Sequence, residues 1–106
     1  AAKFAFGKYG KGLGEFGNVY SKLINLPMPI GLAIKDDYLF VADSGNSRIQ
    51  VFKIAYDGRL TPKFTFGKEG KELGDFSIPA GLAIRGDYLY VADSGNQRIQ
   101  VLKIRY

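Results

Sequence analysis

The chain contains an internal repeat, and this repeat limits the possible folds more than any other feature of the sequence. Residues 31–54 (GLAIKDDYLFVADSGNSRIQVFKI) recur at 81–104 as GLAIRGDYLYVADSGNQRIQVLKI. The preceding KFAFGKYGKGLGEF at 3–16 recurs at 63–76 as KFTFGKEGKELGDF, with 10 of 14 residues identical. Because a unit of this length cannot bury its apolar surface alone, we expect repeated units that stack on one another.

Each unit has the pattern of short antiparallel strands. In the first unit, apolar or alternating segments near 31–35, 38–42, 48–55 and 61–66 are bounded by Gly, Asp and Asn, which is typical of strands joined by tight turns. Pro62 lies at the entry of the fourth strand, where no ladder hydrogen bond is lost. No helix of useful length is predicted. The predicted core consists of apolar residues at matching positions of the two units: Leu32, Ile34, Leu39, Val41, Ile49, Val51, Leu82, Ile84, Leu89, Val91, Ile99 and Val101.

Four antiparallel strands per unit describe a blade of a β-propeller, so the predicted fold class is all-β with two blades per chain. Residues 1–106 then form a single module, in which blade 1 spans 29–68 and blade 2 spans 79–106 without its outermost strand. Residues 1–8 are predicted to be the outermost strand that completes a neighbour's blade. Tyr38 and Tyr88 are predicted to wedge between blades.

The phase of the repeat predicts assembly of the chain with itself. An exposed strand edge is a liability that proteins cover. In the first repeat, the strand before KFTFG is predicted to pair with it, but VLKIRY at the end of the second repeat has no such strand after it. KFAFG at the start of the chain matches the missing strand. Head-to-tail interfaces between copies close into rings when the rotation permits. The predicted oligomer interface consists of residues from both ends: Phe4, Phe6, Ile99, Val101 and Ile104.

The composition excludes several classes of function. The 106 residues include 46% hydrophobic residues, and they include no cysteine and no histidine. Disulfides, thiolate metal sites and histidine general bases are therefore ruled out. No apolar run approaches the roughly 20 residues of a membrane helix. The chain starts AAKFAF without an initiator methionine, so we expect a processed chain or an engineered or excised fragment. Nothing in the composition indicates a cellular compartment.

Three linked motifs carry a family resemblance: FGxxGxxLGxF, then PxGLAI, then ADSGNxRIQVxKI. The pattern resembles the NHL repeat of six-bladed β-propellers and covers nearly the whole chain. The resemblance implies a six-bladed ring, which three two-bladed chains would complete as a cyclic homotrimer. A ring with another number of blades and a longer protein from which these two blades were excised are the alternatives. It also implies a scaffold that binds proteins or other ligands.

Two loop motifs suggest ligand sites but are better explained by structure. The ADSGN segments lack the third carboxylate and the bidentate Glu of a calcium loop, so their residues are predicted to form structural turns: Asp43, Gly45, Asn46, Asp93, Gly95 and Asn96. The segment 10–14 (GKGLG) lacks the Ser or Thr and the following helix of a phosphate-binding Walker loop. We predict no cofactor and no metal site.

Catalysis is not expected. Six-bladed lactonase-like hydrolases place carboxylates and amides at the mouth of the central channel, where this chain has Pro29-Ile30-Gly31 and Pro79-Ala80-Gly81. The NHL-like amidating lyase uses zinc-bound histidines, which this chain lacks. No serine has a histidine to activate it. Three hypotheses of function are considered: a self-assembling binding scaffold, a surface that binds anions or RNA, and a metal-dependent, lactonase-like hydrolase. The hydrolase is the weakest of the three.

The second hypothesis is a surface that binds anions or RNA. Alternation of strand direction places the ADSGN turns and the Gly- and Lys-rich connections at one end of the blades, which we call the upper rim. The candidate cations there are Lys8, Lys11, Lys68, Lys71, Arg48 and Arg98. Some NHL-like propellers bind RNA on such a surface by phosphate contacts. Four acidic residues share these loops, so nucleic acid is not the favoured partner.

The repeats differ by one insertion, GNVYSKLINL at 17–26. It falls in an upper-rim connection and has several apolar residues. They could line one side of a short helical turn, and the favoured interpretation is that they pack over the seam between blades.

Overall fold

The computed structural model describes residues 3, 5–8, 10–16, 18–20, 25–27 and 31–105. These residues form β-strands and two short 3-10 turns, Ser44–Asn46 and Ser94–Asn96. The strands are β1 Asn18–Tyr20, β2 Asn25–Pro27, β3 Leu32–Lys35, β4 Tyr38–Asp43, β5 Arg48–Ile54, β6 Leu60–Phe66, β7 Pro79–Arg85, β8 Tyr88–Asp93 and β9 Arg98–Lys103.

The two repeats form two antiparallel sheets. Blade 1 has the order β3-β4-β5-β6, and blade 2 has the order β7-β8-β9. The all-β prediction is therefore confirmed, as are a four-stranded sheet and a three-stranded sheet of the kind that propeller blades have. Strand β6 begins at Leu60, so Pro62 lies two residues inside it and not at its entry as predicted. It lies next to a register shift at Val51/Phe52 in the outermost strand, where a residue without a backbone N–H is tolerated.

The hairpin turns have the conformations that their residues permit. The β3–β4 turn places Asp36 at φ 53°, and the β7–β8 turn places Gly86 at φ 60°. Asp and Gly both tolerate this left-handed region. Ser47 and Gln97, at φ 52° and 54°, end the two 3-10 turns in the same region. The turns therefore match in the two repeats even where their residues differ.

The core lies between the two sheets. Because side chains alternate across a strand, each blade has a front face towards the preceding repeat and a back face towards the following one. The buried cluster joins the back face of blade 1 to the front face of blade 2, and its members are Phe40, Ala42, Ile49, Val51, Phe76, Leu89 and Val91. Leu82, Ile84 and Leu102 pack against this cluster from blade 2, as does Tyr38 from blade 1.

Four of the predicted core residues are exposed instead. Leu32 and Ile34, on the front face of blade 1, are 60% and 62% exposed. Ile99 and Val101, on the back face of blade 2, are 65% and 56% exposed. The core prediction was wrong for these residues in the single chain because each lies on an outward face with no blade beside it. Leu39 is only partly buried, and Tyr88 is about half exposed.

The insertion forms a β-hairpin where residues 17–26 are described. Strands β1 and β2 pair antiparallel, with Asn18 opposite Pro27 and Tyr20 opposite Asn25. This corrects the alternative of a helical turn. Residues 17 and 21–24 lie outside the described residues, so the prediction that the apolar side chains pack over the seam stays a prediction.

Candidate assembly interface

The outer edge of blade 2 has no paired strand among the described residues. Strand β9 pairs with β8 on one side, and no described strand lies on its other side. In blade 1 the same edge is covered, because β5 pairs with β6 through Ile49↔Phe66 and Val51↔Phe64. The repeat therefore shows which kind of strand fits beside β9.

The N-terminal segment does not fill this edge within its own chain. Phe6 packs edge-to-face on Phe52 of blade 1, with ring centroids 5.3 Å apart. Phe66, its counterpart in the next repeat, packs against Phe76 at 6.4 Å and lines a cleft with Leu102, the counterpart of Phe52. Phe6 thus occupies the place on the front side of blade 1 that Phe66 occupies on the front side of blade 2. Phe4 lies outside the described residues.

A buried carboxylate network holds the connection 10–16 on the front face of blade 1. Asp43 is fully buried, and its Oδ2 accepts hydrogen bonds from Arg48 Nε at 2.8 Å, Asn46 Nδ2 at 3.0 Å and Gln50 Nε2 at 3.2 Å. Arg48 also donates to the carbonyl oxygens of the connection at Lys11, Gly12 and Glu15. The connection is bound to the blade mainly through its backbone.

The same network recurs in blade 2. Asp93 Oδ2 accepts hydrogen bonds from Arg98 Nε at 2.8 Å and from Asn96 Nδ2 and Gln100 Nε2, both at 3.1 Å. Its Oδ1 accepts a bond from the Ser77 backbone N–H at 2.7 Å. Burial of the carboxylate raises its pKa, but these four donors outweigh burial and leave the pKa of Asp93 below its ordinary value.

The predicted turn residues lie in these networks or beside them. Asn46 and Asn96 each donate from Nδ2 both to the buried Asp and to a connection carbonyl oxygen, at Gly10 and Gly70 respectively. Gly95 donates from its backbone N–H to the Ser77 carbonyl oxygen, and Gly45 lies in the 3-10 turn. These contacts join the turns to the connections, and the structural role of the turn residues stays a prediction.

Gln50 and Gln100 are members of the networks that the sequence argument missed. Each is buried and donates from Nε2 to a connection carbonyl oxygen, while its Oε1 accepts from Gly14 N–H or Gly74 N–H. The sequence does indicate a special role for each Gln, because it is a polar residue between two apolar neighbours within a strand in both repeats.

The upper-rim cations fall into two groups. Arg48 and Arg98 each direct their N–H groups at four acceptors of the chain, which leaves one of five guanidinium donors for a ligand. The lysines Lys8, Lys11, Lys68 and Lys71 are exposed. Lys8 lies 3.3 Å from Glu15. The proposal of an anion or RNA surface therefore depends on the lysines.

The pKa of Glu15 is lowered by its neighbours in the upper rim. A hydrogen bond from Gly12 N–H and the contact with Lys8 lower the pKa of the partly buried Glu15 carboxyl. Acidic and basic groups of the upper rim thus pair locally, so the charge that a polyanion would meet is reduced.

Two further observations concern only the part of the chain that the structure describes. No three acidic residues converge there in a way that could hold a metal ion. Within the same residues no helix has the length and apolar character needed to cross a membrane.

Comparison with known families identifies the repeat. The family model described as NHL repeat matches residues 26–52 and 76–102, just over half of the chain. The two matches cover the inner three strands of both blades. The chain therefore belongs to the NHL repeat family, which confirms the sequence resemblance. No curated protein shows significant similarity to the chain.

Proposed function

We propose that the chain is a non-catalytic propeller module that assembles with copies of itself and presents a binding surface on its upper rim. One observation supports assembly above all others. The interface between blades 1 and 2 joins a back face to a front face, and the chain exposes one further face of each kind at its two ends.

The exposed faces carry nearly the same residues as the buried ones. On the back faces, buried Ile49 and Val51 of blade 1 correspond to exposed Ile99 and Val101 of blade 2. On the front faces, Leu82 and Ile84 correspond to Leu32 and Ile34, each position having the same residue type in both repeats. A face that packs well inside the chain has the shape and chemistry to pack against the same partner face of a second copy.

The strand edge supports the same arrangement. If β9 of one copy repeats the register of β5, Ile99 pairs with Phe6 of the next copy and Val101 pairs with Phe4. Phe6 already lies beside blade 1 on the front side, which is the side that a second copy approaches. Burial of these apolar side chains contributes about 25 cal/mol for each Å² removed from water.

Three chains close the ring if the six-bladed preference of NHL propellers holds. Head-to-tail contacts that do not close would instead form open filaments. In a closed ring, the connections that include 10–16 and 70–76 would lie on one rim, with one β1–β2 hairpin for every two blades. This rim is the proposed surface for a protein or other ligand. No observation in the structure favours catalysis or RNA binding over this role.

The test of assembly is the solution mass, measured by light scattering on the full chain. The expected result is three times the mass of one chain. Deletion of residues 1–7 should leave single chains or aggregates, because it removes the strand for β9. The matched control is Tyr56→Ser in the fully exposed β5–β6 turn, which should retain the trimer. A single-chain mass for the unaltered protein contradicts the proposal.

A further inference from the structure

We infer that strand β7 determines how the next copy docks, through close backbone approach at Gly81 and an ion pair from Arg85 to Asp37 of that copy. The inference rests on the proposed self-assembly and names the residues that would specify it. The seam between blades 1 and 2 is the template for the seam between copies.

The inner strands approach each other most closely at Gly31. A Cβ atom at this position would overlap the carbonyl oxygen of Ala80 and would lie 2.9 Å from Gly81 Cα. Real Cβ atoms do not approach other atoms so closely, so the seam inside the chain requires glycine at position 31. This contact brings β3 and β7 together at the inner side of the blades.

Gly81 is the counterpart of Gly31 in the second repeat, but the chain itself gives no reason for glycine there. A Cβ atom at Gly81 would meet only Ala92 Cβ at 3.7 Å, which is ordinary contact. Gly81 lies within β7 and has no positive φ. A side chain therefore fits in the single chain. In a seam that repeats the template, Gly81 would lie against the backbone beside Gly31 of the next copy, where no Cβ fits.

An ion pair crosses the template seam at the end of the blades opposite the upper rim, where the β3–β4 and β7–β8 turns lie. Lys35 Nζ, at the end of β3, donates to the Gly86 carbonyl oxygen at 2.8 Å and lies 3.3 Å from the Asp87 carboxylate. Both acceptors belong to the β7–β8 turn of blade 2. The Lys35 side chain of blade 1 thus crosses the seam to the β7–β8 turn of blade 2.

Arg85 has the position of Lys35 in blade 2, and its side chain is exposed. No hydrogen bond or ion pair joins it to another described residue. The corresponding acceptors would be the Asp36 carbonyl oxygen and the Asp37 carboxylate in the β3–β4 turn of the next copy. Within its own chain, Asp37 pairs only with Lys53 at 3.3 Å among the described residues, and its side chain is 74% exposed, so its carboxylate is accessible to a second cation.

The two contacts lie at opposite ends of one strand and together define a register. A displacement of one residue along β7 would carry Arg85 away from the Asp37 carboxylate and would move Gly81 off the position of close approach, where no Cβ fits. Charge pairs at the rim of an interface contribute more to partner choice than to affinity. Gly81 therefore controls whether the copies dock, and Arg85 controls which alignment they adopt.

The test compares full-length variants by sedimentation over a range of chain concentrations. Gly81→Ala should raise the concentration for half-assembly by about ten- to a hundredfold, the range expected of one overpacked methyl group. Its unfolding in urea at low concentration should match that of the unaltered chain. Gly31→Ala is the matched comparison and should destabilise the single chain itself.

The charge pair supplies a second, independent measurement. Arg85→Glu should raise the concentration for half-assembly about tenfold in low salt, since attraction is replaced by repulsion of Asp37. Adding Asp37→Arg to the same chain should restore most of the loss. Normal assembly of both Gly81→Ala and Arg85→Glu would overturn the inference and leave the proposed self-assembly intact. A single-chain mass for the unaltered protein would overturn both.

Discussion

Blades 1 and 2 have nearly the same sequence, but identical residues have very different environments in them. Ile49 of β5 is completely buried, whereas Ile99 of β9 is 65% exposed. On the other side of the blades the order is reversed, since Leu82 packs on the core and Leu32 is exposed. The difference shows that the burial of these residues is set by the neighbouring blade and not by the strand that carries them.

The carboxylate networks behave in the opposite way. Asp43 and Asp93 are both fully buried, and each accepts hydrogen bonds from an Asn, an Arg and a Gln of its own repeat. All of these partners, and the connection that they hold, belong to the chain. Networks that are complete within one repeat are therefore equal in the two blades, while faces that need a second blade are not.

The largest expected effect tests the difference between the two isoleucines. Ile49→Ala should lower the free energy of unfolding by about 4 kcal/mol at every chain concentration, because it leaves a cavity between the blades. Ile99→Ala should have little effect on the single chain and should weaken assembly instead. Urea unfolding at several chain concentrations measures both. Equal losses at high dilution would contradict the comparison.

The next effect tests the similarity of the networks. Asp43→Ala and Asp93→Ala should each cost about 3 kcal/mol, since each removes the partner of a largely buried guanidinium and several other donors. The two losses should agree within about 1 kcal/mol, because the networks match. Thermal or urea unfolding provides the values. A loss in one blade alone would mean that the repeats are not equivalent.

A smaller effect concerns the N-terminal segment. Phe6→Ala should lower the stability of the single chain by about 1 kcal/mol, the typical contribution of one aromatic pair, since Phe6 is 45% exposed and contacts Phe52. The same variant should also raise the chain concentration needed for assembly. Leu73→Ser, at an exposed loop position, is the control. If assembly is unchanged in Phe6→Ala, Phe6 does not contribute to the seam between copies.

The smallest effect is a dependence of stability on pH in the acid range. The pKa of Asp93 is below the ordinary value of 3.8, so at this group the folded chain holds fewer protons than the unfolded chain. Its contribution is complete above that value and is lost as the pH falls through the lower, folded pKa. Unfolding free energies measured from pH 5 downwards should decline less steeply in Asp93→Asn.

Local features of the fold were predictable from the sequence because they depend on local chemistry. The positive φ at Gly86 and Asp36 and the placement of Pro62 in an outermost strand follow from what each residue permits. The buried networks were only partly predictable. The Asp and Asn of the turns could be assigned a structural role, but Gln50 is recognised as a member only when the connection 10–16 is seen against its blade.

The faces could not be predicted in the same way. Side-chain alternation shows that Ile49 and Val51 share one face with Phe40, but it does not show which faces of the blades are covered. The expectation that all twelve apolar positions form a core was wrong for Leu32, Ile34, Ile99 and Val101 in the single chain. Those residues lie on the two faces that the proposed assembly would cover.

The sequence by itself determined the repeat, its family, the strands of each blade and the turns between them. These properties depend on residue type and spacing within one unit. Only the tertiary structure decided that the back face of blade 1 packs on the front face of blade 2, and hence that two faces and the β9 edge remain exposed. Burial is a property of two surfaces in contact, so the sequence of a repeat can specify a surface but not whether another blade covers it.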